Sequence, residues 1–161
     1  MRPRAVLFVL GLLAAAFSAA ACGKGVDLKQ ATQITDVSSG WFDAGIQDGK
    51  NKLVPSVTFR IRKNAGTDLS SLSLNVVFRV TGEQEHWDDV FVQRVDFNGD
   101  ATAPIVVRSQ FGYTGDPPQT RADMLKNSQF RDMEAQIFAK QSSSQWVELH
   151  GLKIVRQLLT Q

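Results

Sequence analysis

The sequence predicts an all-β fold, an antiparallel β-sandwich with one short crossover helix. Apolar and polar residues alternate with a period of two over residues 57–62 and 72–80. This alternation is typical of strands that bury one face and expose the other. The long helical patterns that a parallel βαβ organisation needs are missing between these segments.

The N-terminal residues have the order of a secretory signal peptide. Arg2 and Arg4 form a short positive region, residues 5–17 are apolar and uncharged, and residues 18–21 are small. The apolar run is shorter than the stretch of about 20 residues that usually spans a membrane. We therefore predict that residues 1–21 are a signal peptide and that the chain is exported. The alternative is a retained N-terminal anchor helix.

Cys22 is the only cysteine of the chain, so no internal disulfide can form. It follows three alanines, Ala19 to Ala21, and precedes Gly23. This segment resembles the lipobox of bacterial lipoproteins, although the family usually has Leu where Ala19 stands. The resemblance implies a lipid on Cys22 that attaches the protein to a membrane. The residue after the cysteine is Gly23 and not Asp, which by similarity to enterobacterial lipoprotein sorting implies the periplasmic face of the outer membrane in a source that has one. The alternative is ordinary cleavage that leaves a free thiol.

Removal of the leader changes the charge balance of the chain. The full sequence has 18 basic and 16 acidic residues, and loss of Arg2 and Arg4 leaves 16 of each. A neutral domain has no global field that attracts nucleic acid, so we predict no nucleic-acid partner. We assign residues 22–30 to a lipidated tether and residues 31–161 to one domain.

Turn signals divide the domain into seven or eight short strands. Asn98-Gly99 is the strongest hairpin signal, and a turn cluster occupies residues 64–68. The strands on either side of that cluster form either a hairpin or parts of two different sheets. The predicted strands cover residues 34–42, 57–62, 72–80, 90–97, 105–111, 133–139, 146–149 and 152–159.

One short helix is predicted over residues 120–129. The prolines and glycine of residues 115–118 end the preceding strand. Thr120 and Asp123 have the spacing of a capping box, with Asp in place of Glu. We expect this helix to cross between the two sheets.

This number of short strands in one small domain suggests an immunoglobulin-like sandwich. Residues 57–64 and 72–76 resemble the paired strands of immunoglobulin-like domains common in bacterial lipoproteins, a resemblance that covers about residues 53–82. It implies a fold and a compartment, and it carries no functional residues. Strand alternation predicts that the core includes Phe59, Val76, Phe78 and Ile137. The arginines Arg60, Arg62 and Arg79 should face outwards.

The sequence contains no pattern that favours catalysis, so we predict a protein that is not an enzyme and has no cofactor. His86 and His150 lack a second ligand at metal-binding spacing, and no nucleophile elbow is present. Asp96, Asn98 and Asp100 alternate around Gly99, as oxygen ligands of a calcium ion do. The alternative is that Asn98-Gly99 only makes a turn.

Two aromatic residues stand beside glycines and are candidates for partner binding. Trp41 follows Gly40, and Tyr113 follows Gly112 in the loop from Phe111 to Pro118, which is rich in glycine and proline. The alternative for this loop is that it only turns the chain into the crossover helix. Aromatic residues on preorganised loops are typical interface anchors. We therefore predict a membrane-anchored extracytoplasmic lipoprotein that acts as a non-enzymatic binding or structural module for a protein partner. The alternative is a carrier or sensor of an apolar ligand or lipid in an inter-sheet pocket.

The predicted lipid attachment depends on Cys22 alone, so replacing this residue tests it. Replacement Cys22→Ser should release the mature protein from membranes or leave an unprocessed precursor, because serine cannot form the thioether to the lipid. Membrane fractionation measures the release. An unmodified Cys22 thiol in the mass spectrum of native protein would contradict the prediction.

Overall fold

The protein is described by a computed structural model over residues 25–159. Within this range the chain forms ten strands and two short helices, neither of which is long and apolar enough to cross a membrane. The elements in chain order are α1 (Leu28–Ala31), β1 (Thr32–Gln47), β2 (Lys50–Lys63), β3 (Ser71–Val80), β4 (Asp88–Asn98), β5 (Ala101–Thr102), β6 (Ile105–Arg108), β7 (Tyr113–Gly115), α2 (Arg121–Lys126), β8 (Met133–Lys140), β9 (Val147–Lys153) and β10 (Leu158–Leu159).

The predicted all-β class is confirmed, and the strands form one curled mixed sheet. Its order is β10-β1-β2-β5-β4-β3-β8-β9, with β6 and β7 also paired to β2. Strand β4 links the two halves, because its first part pairs with β3 while Phe97 and Asn98 pair with β5. The first and last strands of this order, β10 and β9, are consecutive in the chain. Strand β10 runs parallel to β1, whereas the other described pairings are antiparallel.

The core is built by the period-two alternation that the sequence shows. Phe59, Val76, Phe78 and Ile137 are each 0% exposed, as predicted, and belong to one apolar cluster. Strands β2 and β3 do not pair with each other, so the hairpin alternative is wrong. They lie in different parts of one curled sheet and not in two separate sheets. Arg62 is exposed, and Arg60 and Arg79 are half-buried.

The capping box and the hairpin are both confirmed. Thr120 caps α2 and exchanges hydrogen bonds with Asp123, and these bonds hold the pKa of the Asp123 carboxyl below its ordinary value. The helix ends at Lys126, earlier than predicted, because Asn127 has an extended backbone. Asn98 pairs with Ala101 across a two-residue turn, and Gly99 there has a φ of 65° that favours glycine.

Other boundaries also differ from those predicted, and the predicted strand over residues 105–111 ends at Arg108. The tether does not extend to residue 30, because Asp27 caps α1 and Leu28 is 1% exposed within the core. The two predicted C-terminal strands are a single strand over Val147–Lys153, followed by the two residues of β10. Gly151 separates the two predicted strands in the sequence, but in the structure it pairs with Gln136 inside the single strand β9.

Phe78 provides a quantitative test of the core. Replacement Phe78→Ala should lower the free energy of unfolding by about 3–5 kcal/mol, because it leaves a cavity in a fully buried site. Chemical denaturation measures the loss. The control Arg62→Ala removes an exposed side chain and should change stability by only about 0.5 kcal/mol. A larger effect at Arg62 than at Phe78 would mean that the strand faces are inverted.

Candidate functional site

The edge strand beside β2 is interrupted by an insertion. Ser56 pairs with Arg108 and Leu53 pairs with Tyr113, so five steps along the edge chain match three steps along β2. The two extra residues form a bulge over residues 109–112, between β6 and β7. Bulges of this kind often lie beside binding sites, because they redirect a side chain out of the regular sheet.

Asp88 fixes the bulge from the start of β4. Its Oδ2 accepts hydrogen bonds from the Ser109 hydroxyl at 2.8 Å and from the Gln110 backbone N–H at 2.7 Å. The Ser109 oxygen in turn accepts the backbone N–H of Phe111 at 3.0 Å. Ser109 is 4% exposed, so the bond to Asp88 satisfies a hydroxyl that is largely shielded from water. The bulge is therefore held in one conformation.

Gly112 lets the bulge approach β2 closely. A Cβ at this position would overlap the carbonyl oxygen of Leu53. Only glycine leaves room for this contact. The preceding residue, Phe111, turns outwards and is 57% exposed. A large apolar side chain is thus presented to solvent by a rigid backbone.

Phe111 borders an open groove of about 720 Å³ on the outside of the sheet. The groove is lined from the β1–β2 hairpin, from the bulge and β7, and from Trp87, whose backbone N–H is fixed by the carbonyl of Phe78 at 2.8 Å. Its lining residues are Gln47, Asp48, Lys50, Lys52, Trp87, Phe111, Gly112 and Thr114. The groove thus combines two aromatic rings with two ammonium groups and one carboxylate.

Two lysines determine the electrostatics of the groove. Lys52 Nζ donates to Gln47 Oε1 and to the carbonyl of Gln110, each at 3.0 Å, and so keeps one N–H for a ligand. Lys50 Nζ lies 3.3 Å from a carboxylate oxygen of Asp116, in a pair with both side chains largely exposed. Exposed pairs of this type are weak and exchange readily. Both ammonium groups are therefore accessible to an anionic group.

The prediction that Trp41 is an exposed contact residue is wrong. Trp41 is 0% exposed within β1, and its ring packs edge-on against Phe130 at 4.4 Å between ring centroids. Gly40 beside it lies within the strand and not in a turn. A Cβ at this position would lie only 2.7 Å from a methyl carbon of Leu159. The glycine therefore permits the approach of β10 to β1.

Tyr113 lies at the border between this aromatic cluster and the groove. Its ring is half-buried and lies 4.5 Å from Phe130 and 5.5 Å from Trp87, between ring centroids. Its hydroxyl is buried without a hydrogen-bond partner among residues 25–159. The neighbouring Gly112 and Thr114 line the groove. A contact role for Tyr113 stays a prediction.

The other candidate residues do not converge on a common site. Cys22 lies outside the described residues. His86 is exposed and pairs with Asp89 at 2.9 Å, whereas Asp96 pairs with Arg94 at 2.8 Å. No group of three His, Cys, Asp or Glu side chains within residues 25–159 has a geometry suited to a metal ion.

Comparison with known proteins adds no assignment. The chain matches no protein-family model, no curated protein and no solved structure.

Lys50, Lys52 and Trp87 were not predicted from the sequence as site residues. Lys50 and Lys52 alternate with Asn51 and Leu53, which are buried, so the period of two already places both lysines on the outer face. Their proximity to the bulge follows from the pairing of β2 with β7, which joins segments about 60 residues apart. Local sequence patterns do not specify such a pairing.

The Asp88 contacts predict a cost for its removal. Replacement Asp88→Ala should lower the free energy of unfolding by about 1–3 kcal/mol, since it leaves the Ser109 hydroxyl and the Gln110 N–H without their acceptor. Urea denaturation measures this loss. In the matched control, Asp89→Ala, the side chain contacts only exposed His86, and a change of about 0.5 kcal/mol or less is expected. Equal effects of the two replacements would show that Asp88 does not hold the bulge.

Proposed function

We propose that this protein is an exported, lipid-anchored binding module whose groove beside Phe111 receives an anionic, partly apolar segment of a protein partner. Cys22 supplies the anchor, and the module acts without catalysis or nucleic acid on the periplasmic face of the outer membrane. For the finer architecture we propose an immunoglobulin-like sandwich, in which β3, β4, β8 and β9 form one layer.

The observation that carries this proposal is the rigid presentation of Phe111. An apolar side chain of this exposure loses hydration on binding, and a fixed backbone reduces the entropy lost. The clamp by Asp88 and the close contact of Gly112 with β2 provide that rigidity. Aromatic residues in such settings are typical centres of protein interfaces.

The charged side chains of the groove indicate which polar group the ligand carries. Lys50 and Lys52 line the groove together with a single carboxylate, Asp48. A carboxylate on the partner can accept the N–H that Lys52 retains and replace the exposed pair of Lys50 with Asp116. The groove therefore fits a segment in which Asp or Glu stands next to an apolar residue.

Site-specific photo-crosslinking in intact cells tests this function. We expect a photoreactive phenylalanine analogue at position 111 to give one discrete adduct whose partner peptide, mapped by mass spectrometry, contains an acidic residue beside apolar ones. The matched control carries the analogue at position 106, because Val106 is also exposed, at 53%, and lies in β6 outside the groove.

A second variant tests the charge argument. Adding Lys52→Glu to the protein labelled at position 111 should abolish the adduct, because it places a carboxylate against the anionic partner. Equal adducts at positions 106 and 111, or an adduct that survives Lys52→Glu, would contradict the proposed site. Thermal denaturation of the variant confirms that it remains folded.

A further inference from the structure

A second exposed aromatic surface lies on the half of the sheet that contains β3, β4, β8 and β9. Phe91 is 56% exposed and Trp146 is 40% exposed, and their rings meet edge to face at 6.0 Å between centroids. The ammonium group of Lys140 lies over the Trp146 ring, 4.8 Å from its centroid. We call Phe91, Trp146 and Lys140 the aromatic patch.

Strand register places this patch on the outer face of the sheet. Asn75 lies opposite Phe91 on β4 and opposite Phe138 on β8, so these three side chains share one face. The flanking residues Leu74 and Val76 are 0% exposed in the core, so the face of Asn75 is the outer one. The contact of Phe91 with Trp146 brings the segment before β9 onto the same face.

The start of the folded chain lies beside β9, the strand that directly follows Trp146. Helix α1 packs beside β9, and Lys29 lines a surface hollow with Glu148, which follows Trp146 by two residues. Cys22 precedes Gly25 by three residues, and three residues span at most about 11 Å. A lipid on Cys22 would therefore hold this side of the domain near the membrane surface.

The chemistry of the patch suits the boundary between lipid and water. Tryptophan is enriched there, because its ring is largely apolar while its indole N–H is polar. Lys140 can bury its methylene stem while its ammonium group stays at the headgroups. Glu148 is on the same outer face and offsets the charge of Lys140, so attraction to anionic lipid is not the main contribution.

We infer that the aromatic patch inserts into the surface of the membrane that anchors the protein, and that it fixes the orientation of the domain there. This inference rests on the anchor in the proposed function. The lipid chain holds the domain at the membrane, and the patch selects the face that touches it. The contact depends on apolar insertion and therefore persists in neutral bilayers and in high salt.

Fluorescence quenching by brominated lipid tests the inference on the native protein. The protein is purified from membranes and reconstituted into phosphatidylcholine vesicles with brominated acyl chains, which quench tryptophans that enter the bilayer. We expect quenching that is lost in Trp146→Phe and severalfold weaker in Phe91→Ala. The control Val106→Ala changes an exposed residue on another strand and should leave quenching unchanged. Trp41 is buried in the core and Trp87 lines the groove and not the aromatic patch, so neither should respond to brominated lipid.

Three outcomes would overturn the inference. Trp146 that is unquenched by brominated lipid but quenched by iodide in anchored protein would show that the patch faces water. Quenching that needs anionic lipid, or that disappears in high salt, would show an electrostatic contact in place of insertion. Trp146 shielded from iodide only in native membranes would show that a protein covers the patch.

The experiments distinguish an error in the proposed lipid anchor from an error in the inference about the aromatic patch. If fractionation finds the protein free of membranes, the proposed anchor is wrong. The same brominated vesicles are then added to the free protein, and quenching of Trp146 still reports on the patch. Loss of quenching in protein that remains membrane-bound contradicts the patch alone.

Discussion

The fold depends on the burial of the inner faces of β2 and β3, two successive strands that do not pair with each other. Phe59 on β2 and Phe78 on β3 are both fully buried in one core, although their strands belong to different halves of the sheet. This is possible because β4 spans both halves, pairing with β3 along most of its length and with β5 at its end. The curl of the sheet is thus a consequence of burying two apolar faces against each other.

Strand β2 also determines where the groove can form. One edge of β2 pairs with β1 along most of its length. The opposite edge pairs first with β7, then with β6 and finally with β5. The bulge lies between β6 and β7, where pairing along this opposite edge of β2 is interrupted. Asp88 at the start of β4 then provides the acceptor that the displaced backbone requires. The packing of the core and the geometry of the groove therefore both depend on β2 and β4.

The sequence predicted the local elements better than their arrangement. The alternation around Phe59 and Phe78, the capping box of Thr120 and the turn at Gly99 were confirmed, because each depends on neighbouring residues. The burial of Trp41 was missed, since Gly40 beside it serves the approach of β10, a contact across more than 100 residues. For the candidate site, the loop from Phe111 to Pro118 was expected to bind a partner, whereas the lysines of β2 lie beside it only through strand pairing that local patterns do not specify.

Gly40 and Gly112 show that local sequence signals have more than one structural cause. Both glycines resemble turn residues, and both permit close approach between strands instead. At Gly40 the approach brings β10 against β1 and buries the neighbouring Trp41. At Gly112 it brings the bulge against Leu53 and leaves the neighbouring Phe111 in solvent. The difference lies in the two extra residues of the bulge, which lift Phe111 out of the paired strand. The exposed ring of Phe111 is therefore a consequence of the bulge, and the proposed binding role depends on this local geometry.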